Sequence, residues 1–549
     1  MKASDLFVRC LENEGVERIF GVPGEENAHF MMSLEQSPIE FILTRHEQGA
    51  SFMADVHGRL TGEMSACLGT LGPGASNLVT GVADGNMDRA PLLVLTGQAD
   101  RDRLHKESHQ NMDVVAMFEP ITKWAWSLKN PNNIPEVVRK ACKLALTEKP
   151  GACHIELPED VAQEDATTQP LPPVRARRAV PADKIVDQAV ELIRGARTPI
   201  VIAGNGAIRK RASKQLRIFA EQTGIGIVST FMAKGCVDRH SAYSLFTVGL
   251  QAKDWVSHAI DAADVVICLG YDMVEYHPTL WNPDNDKTII HIDFLPAEVD
   301  SHYGVACEIV GDLAHTLWML NERLEGGDTP LFDLPQQRDV RAAMLEEFEE
   351  YRDDRSTGKI RPQKAVWDVR QVMGPRDILL SDVGAHKMWV ARYYQCDEPN
   401  TCLISNGFCS MGFALPGAIS AKLVHPQRKV LALCGDGGFL MNVQEMETAK
   451  RLGTKIVVMV WEDGGYGLIA WKQDNEFGRH TPLSFENPDF MQLAEAFGWD
   501  GFYCDRSQDL HGVLESAFAC ENPALVVIPI DYRENALLTE RLGNIVCPI

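Results

Sequence analysis

A chain of 549 residues, 45% of them hydrophobic, is too long for one core and should divide into about three domains. Its formal charge of −23 argues against nucleic acid or an anionic membrane surface as a partner, so any anionic ligand must be held locally by a cation and backbone dipoles. The amphipathic start MKASDLFVRCLENEGV lacks an apolar signal core and no run of about 18 apolar residues occurs, which points to a cytoplasmic protein. Fourteen cysteines without a C-x-x-C pair read as reduced, buried thiols.

Residues 3–15 carry a helical pattern and lead into a strand over 16–21 that ends in the turn Val22-Pro23-Gly24. A second strand over 41–43 delivers Thr44-Arg45-His46-Glu47, followed by a helix with apolar Phe52, Met53, Val56 and Leu60. Glu47 thus lies at a strand-to-helix junction in a buried neighbourhood, as an acid answering the helix dipole or as a functional carboxyl. A strand over 64–70 enters the turn Gly72-Pro73-Gly74, and 92–96 is another buried strand. This alternation describes a doubly wound sheet. Residues 101–123 turn from polar to apolar and hold Lys106, His109 and Gln110; a last strand covers 152–158.

A linker over 163–181 precedes a strand and the glycine turn Gly204-Asn205-Gly206, a weak nucleotide signal without the full fingerprint. Two further strands follow, and the charged stretch 346–355 reads as solvated helix and linker. Near 378–384 a strand ends at Gly384, and Ala385-His386 opens a helix whose free N–H groups suit a phosphate. Met411 sits in an irregular loop over 405–412. A strand over 430–434 then meets the turn Gly435-Asp436-Gly437-Gly438, a helix over 442–451 and a strand over 455–461 ending at Glu462-Asp463-Gly464-Gly465. A right-handed βαβ crossover places Asp436 and Asp463 together at carboxyl strand ends, the ligand-binding edge of such sheets. Two carboxylates on glycine turns suit a hard divalent cation shared with phosphate, although aspartates there also cap helices. Beyond them, Leu468, Ile469 and Lys472 share a helix face.

GDG followed after a fixed interval by Glu462-Asp463 resembles the thiamine-diphosphate signature, and RHEQGASFMADVHGRLTG resembles acetolactate synthase-type enzymes. The likeness covers nearly the whole chain and is to the catabolic, flavin-independent kind. It implies an α/β fold of three doubly wound parallel-sheet domains: pyrimidine-binding at 1–165, middle at 185–325 and diphosphate-binding at 360–549. Magnesium is expected on Asp436, Asp463 and the carbonyl of Gly465. Aspartate stands where many members carry asparagine, making the site more negative.

By the same resemblance Glu47 hydrogen-bonds the aminopyrimidine ring, a task for a carboxylic acid in an apolar pocket where low dielectric favours the protonated form. Gln110 would orient the substrate. Gly384 and His386 would touch the diphosphate, and Met411 would wedge between the cofactor rings. Pro23, Gly437, Gly438, Tyr466, Gly467, Leu468 and Ile469 would complete the cofactor's surroundings. Lys472, where biosynthetic synthases have tryptophan, either attracts a keto-acid carboxylate or is solvated. Glu25-Glu26 stand where catabolic enzymes have alanine and lysine, removing one cation. Gly249-Leu250 lacks the following histidine and glycine of a flavin contact, and Gly270-Tyr271-Asp272 replaces an arginine-bearing loop, so FAD is not expected. Glu47 is expected to reach a cofactor held by another subunit, giving a homodimer or homotetramer with interfacial sites. The implied reaction decarboxylates pyruvate and joins the remainder to a second 2-oxo acid, giving 2-acetolactate. Another thiamine-diphosphate-dependent 2-oxo acid decarboxylase or carboligase with an aldehyde acceptor, a non-enzymatic regulatory binding protein, and a flavin or nucleotide enzyme using the middle domain remain alternatives.

Overall fold

Apolar runs buried on both faces, such as LLVLTGQ and VVICL, are the mark of parallel strands covered by helices on either side. The computed structural model describes residues 1–174, 178–209, 211–249, 254–327 and 329–535. Leu250 and the last stretch of the expected third domain, 536–549, lie outside the described residues.

The first sheet holds β1 (Arg18–Gly21), β2 (Glu40–Leu43), β3 (Ser65–Gly69), β4 (Leu92–Gln98), β5 (Trp124–Ser127) and β6 (Ala152–Pro158). The second holds β7 (Ile200–Ala203), β8 (Ile227–Ser229), β9 (Ser244–Thr247), β10 (Val265–Leu269), β11 (Thr288–Asp293) and β12 (Val305–Val310). The third holds β13 (Ile378–Ser381), β14 (Cys402–Ile404), β15 (Val430–Gly435), β16 (Val457–Glu462), β17 (Asp500–Tyr503) and β18 (Ala524–Pro529). Their spatial orders are β2-β1-β3-β4-β6-β5, β12-β11-β10-β7-β8-β9 and β14-β13-β15-β16-β18-β17. All pairings between these strands are parallel, so three doubly wound α/β sheets follow as expected. The first and third sheets repeat one topology. In each sheet the strand order reverses beside the first strand, between β1 and β3, β7 and β10, and β13 and β15, and ligand crevices open at the carboxyl ends of such pairs.

Seven helices matter for the site: α1 (Glu47–Thr61), α2 (Pro73–Met87), α3 (Ala385–Tyr393), α4 (Ala414–Val424), α5 (Asp436–Met441), α6 (Glu445–Arg451) and α7 (Gly467–Phe477). The sequence reading placed a turn at Gly435–Gly438 and one helix over 442–451; instead Asp436 begins α5 directly and the chain breaks at Asn442 before α6. The cause is tertiary. Asn442 is buried and its Nδ2 donates to the Gly412 carbonyl at 2.8 Å, which pins it outside helical continuation.

First and third domains share one apolar cluster, centred where α1 crosses α4. Phe52 and Phe413 meet edge to face at 5.7 Å, and a Cβ on Gly417 would lie 2.9 Å from Val56 Cγ2, so glycine lets the helices close. Polar groups fix the register. Arg59 donates to the Ile404 carbonyl at 3.2 Å, Ser405 Oγ to Asp84 Oδ1 at 2.6 Å, and the N–H groups of Asn406 and Gly407 to Asp88 at 3.0 and 2.8 Å.

Candidate active site

At the carboxyl ends of β15 and β16, Asp436 and Asp463 come together as the motif spacing predicts. Asp436 is buried; its Oδ2 accepts from the N–H of Asp463 at 3.1 Å, the N–H of Gly464 at 2.7 Å and Nδ2 of Asn487 at 2.8 Å. Burial and the Asp436 charge push the Asp463 carboxyl up to about 7. An acid pair held this close favours a cation between its members. Gly465 pairs antiparallel with Ser484 through the Gly464 carbonyl and the Tyr466 N–H, which leaves the Gly465 carbonyl outside that pairing. Among the described residues no three His, Cys, Asp or Glu side chains gather to hold a metal. A metal here therefore needs oxygens beyond the two carboxylates, as magnesium does when it shares phosphate.

Across the crevice, Gly384 ends the β13 turn and His386 opens α3. Burial pushes the His386 imidazole down to about 3, so it is neutral, and its Nε2 is buried without a hydrogen-bond partner. An orphaned imidazole nitrogen beside the Gly435-Asp436 turn suits a diphosphate oxygen, since a Cβ on Gly435 would stand 3.3 Å from the ring. Met411 is half-buried in the loop before α4. Gly412 follows it at φ +85°, where a Cβ would meet Asn442 Nδ2 at 2.7 Å, and its N–H donates to Asp382 Oδ1 at 2.9 Å. Burial pushes the Asp382 carboxyl up to about 7 against three backbone N–H donors. Gly437 and Gly438 are closed in on their side-chain faces: a Cβ would reach the Tyr466 ring at 2.9 Å and Asp382 Oδ2 at 2.6 Å. A Cβ on Gly467 would collide with Asp463 Oδ2. Leu468, Ile469 and Lys472 lie on α7, which has no buried residue, and Ile469 is 47% exposed.

Glu47 occupies the first position of α1 and is buried. Asn77 Nδ2 donates to its Oε2 at 3.0 Å, and a Cβ on Gly74 would stand 3.3 Å from its Oε1. No hydrogen bond or ion pair among the described residues joins Glu47 to Asp436, Asp463 or Met411 within the chain. Pro23 is exposed just past β1. Gln110 is exposed at φ +55°, and its backbone covers the Gly72 turn, where a Cβ would meet Gln110 O at 2.9 Å. Glu26 accepts from Thr70 Oγ1 at 2.8 Å, and Thr70 Cγ2 would stand 2.8 Å from a Cβ on Gly74, so an acid lies beside the Glu47 cradle.

At the glycine turn of the middle sheet the chain supplies its own acceptor. The Asn205 N–H donates to both Glu275 oxygens at 3.0 and 3.1 Å, placing a carboxylate at the turn where a nucleotide phosphate would sit. Burial and the Asp272 charge raise the Glu275 carboxyl. Asp272 pairs with Arg89 at 3.0 Å and with Lys149, and Lys149 also meets Asp293 at 3.0 Å.

Sequence reasoning missed Asn77, Asp382, Asn487 and Glu445. Glu445 accepts from the N–H groups of Arg45 and His46, both at 3.1 Å, and fixes the approach to Glu47 from the third domain. Asp382, beside the flagged Gly384, was the one residue a closer reading of that turn could have found.

The thiamine pyrophosphate enzyme family matches in three parts: its N-terminal TPP binding domain at residues 1–117, its central domain at 186–320 and its C-terminal TPP binding domain at 382–528. The chain is 37% identical to "Acetolactate synthase, catabolic" of Raoultella terrigena, over 98% of this chain and 97% of that one. It is 35% identical to "Acetolactate synthase" of Bacillus subtilis, over 97% and 94%. A "Probable acetolactate synthase large subunit" of Methanocaldococcus jannaschii is 33% identical over 100% and 96%. The chain belongs to the thiamine pyrophosphate enzymes and, within them, to the acetolactate synthase-like carboligases.

Proposed function

We propose that the protein uses thiamine diphosphate and magnesium to decarboxylate pyruvate and join the remaining two-carbon unit to a second 2-oxo acid, giving 2-acetolactate. The observation that carries the cofactor assignment is the Asp436–Asp463 acid pair at adjacent strand ends, with the orphaned His386 Nε2 opposite. Relatives named acetolactate synthase across nearly the whole chain support the choice of reaction.

When bound, the thiazolium ring supplies the electron sink that lets the carboxylate of a 2-oxo acid leave as carbon dioxide. This chain's residues do the rest. Asp436, Asp463 and the Gly465 carbonyl would hold the metal, while His386 and the Gly384 turn would receive diphosphate oxygens. Met411 would fill the gap between the rings, its backbone set by Asp382 and Asn442 on either side of Gly412. Glu47 would share a proton with the pyrimidine nitrogen, held in place by Asn77. Gln110 would orient the substrate, and Lys472 on the open face of α7 would attract its carboxylate. We assign the site to the interface of a homodimer or homotetramer, as in the family the chain resembles, with Glu47 and the acid pair on different domains. Glu275 on the Asn205 N–H, where a phosphate would otherwise sit, is in keeping with a flavin-free enzyme. No helix of the described residues is long and apolar enough to cross a membrane, and we place the enzyme in the cytoplasm.

A second reading, an aldehyde acceptor, is favoured by Glu26, which sets a negative charge beside the Glu47 cradle where an anionic acceptor would be repelled. Mass spectrometry of products from pyruvate, with thiamine diphosphate and magnesium present, decides between them. 2-Acetolactate is expected; acetaldehyde alone would contradict the proposal.

A further inference from the structure

We infer that Asn487 is a positioning residue for the metal clamp, bridging Asp436 and Glu462 so that two neighbouring acids can face one cation; this rests on the cofactor reading above. Asn487 ends a segment that runs along the clamp loop. The Leu483 carbonyl accepts the Tyr466 N–H at 3.1 Å, the Phe485 N–H donates to the Gly464 carbonyl at 2.9 Å, and the Phe485 ring meets the Tyr466 ring at 5.3 Å. These contacts bring Asn487 to the strand ends, where its Nδ2 donates to Asp436 Oδ2 at 2.8 Å and to Glu462 Oε1 at 3.3 Å.

The need for such a donor follows from charge. Asp436, Glu462 and Asp463 stand together at one sheet edge, where like carboxylates repel one another. One amide donor lying between Asp436 and Glu462 offsets that repulsion. Asp436 Oδ1 accepts the N–H of Gly437 at 2.8 Å, whereas Oδ2 takes three donors. Asn487 Oδ1 is itself buried without a hydrogen-bond partner among the described residues. Outer partners of metal ligands are commonly worth about 10–100-fold in metal affinity.

The test is Mn²⁺ binding to the full-length protein with thiamine diphosphate, read by electron paramagnetic resonance, alongside the activation constant for Mg²⁺. Asn487→Ala is expected to weaken Mn²⁺ by about 10–100-fold and to raise the Mg²⁺ activation constant, with the turnover lost at low Mg²⁺ recovered as Mg²⁺ approaches saturation. Unchanged Mn²⁺ affinity, or a lower kcat at every Mg²⁺ concentration with unchanged affinity, overturns the inference. Should the alanine variant unfold, Asn487→Ser carries the same comparison. Failure of the wild-type protein to bind Mn²⁺ with thiamine diphosphate would instead refute the cofactor reading itself.

Discussion

Glu47→Gln keeps the shape of the side chain and the partner Asn77 but removes the proton the carboxyl would share. Turnover should fall by about 10²–10⁴-fold, the usual worth of a positioned acid or base, while cofactor binding, followed by tryptophan quenching, persists. Unchanged turnover would refute its role. Glu445 gives a separate test, through pH. Burial raises its carboxyl from the ordinary 4.5 to about 7. A folded value above the unfolded one means the folded chain holds the extra proton between these limits, so this group's stabilising contribution is complete below about 4.5 and is lost as pH rises through about 7. Urea unfolding should show Glu445→Gln more stable relative to wild type at pH 8 than at pH 5; a constant difference would contradict the burial argument. At Gly412, φ of +85° and the contact with Asn442 forbid a side chain. Gly412→Ala should cost about 1–2 kcal/mol in urea unfolding and weaken cofactor binding by moving Met411.

Among the elements, α1 and α4 do most to join the first and third domains, and their crossing depends on aromatic burial. Phe413 is fully buried against Phe52. Phe413→Ala should therefore cost about 3–5 kcal/mol by denaturant unfolding, and a loss below 1 kcal/mol would show the crossing to be unimportant. The elements were also where the sequence was most and least readable. Inner strands such as β10 and β15 announce themselves as unbroken apolar runs because both faces are covered. Asp436 and Asp463 were legible because both sit at the ends of such runs. The break at Asn442 was not, since the helical pattern continues through it and only the Gly412 carbonyl, thirty residues earlier, diverts the side chain. Asn77, thirty residues beyond Glu47, and Asn487, fifty-one beyond Asp436, were hidden for the same reason: a hydrogen bond across such a span leaves no periodic trace.

In the whole molecule, the first and third sheets share one topology and their domains meet through α1 and α4, while a sheet of different strand order lies between them in sequence. The chain's net charge is −23, so the proposed anionic cofactor would depend on local backbone donors and a cation for its binding. Glu47 and the acid pair lie on different domains, and the proposed function has one cofactor shared between two chains. The direct test is complementation. Chains bearing Glu47→Gln are co-assembled with chains bearing Asp436→Asn, each inactive alone, and activity is measured on the mixed assemblies. Sites shared between chains predict recovered activity, because one interface then pairs an intact Glu47 with an intact Asp436. Mixed assemblies as inactive as either parent would show that both residues must come from the same chain, and would contradict the account.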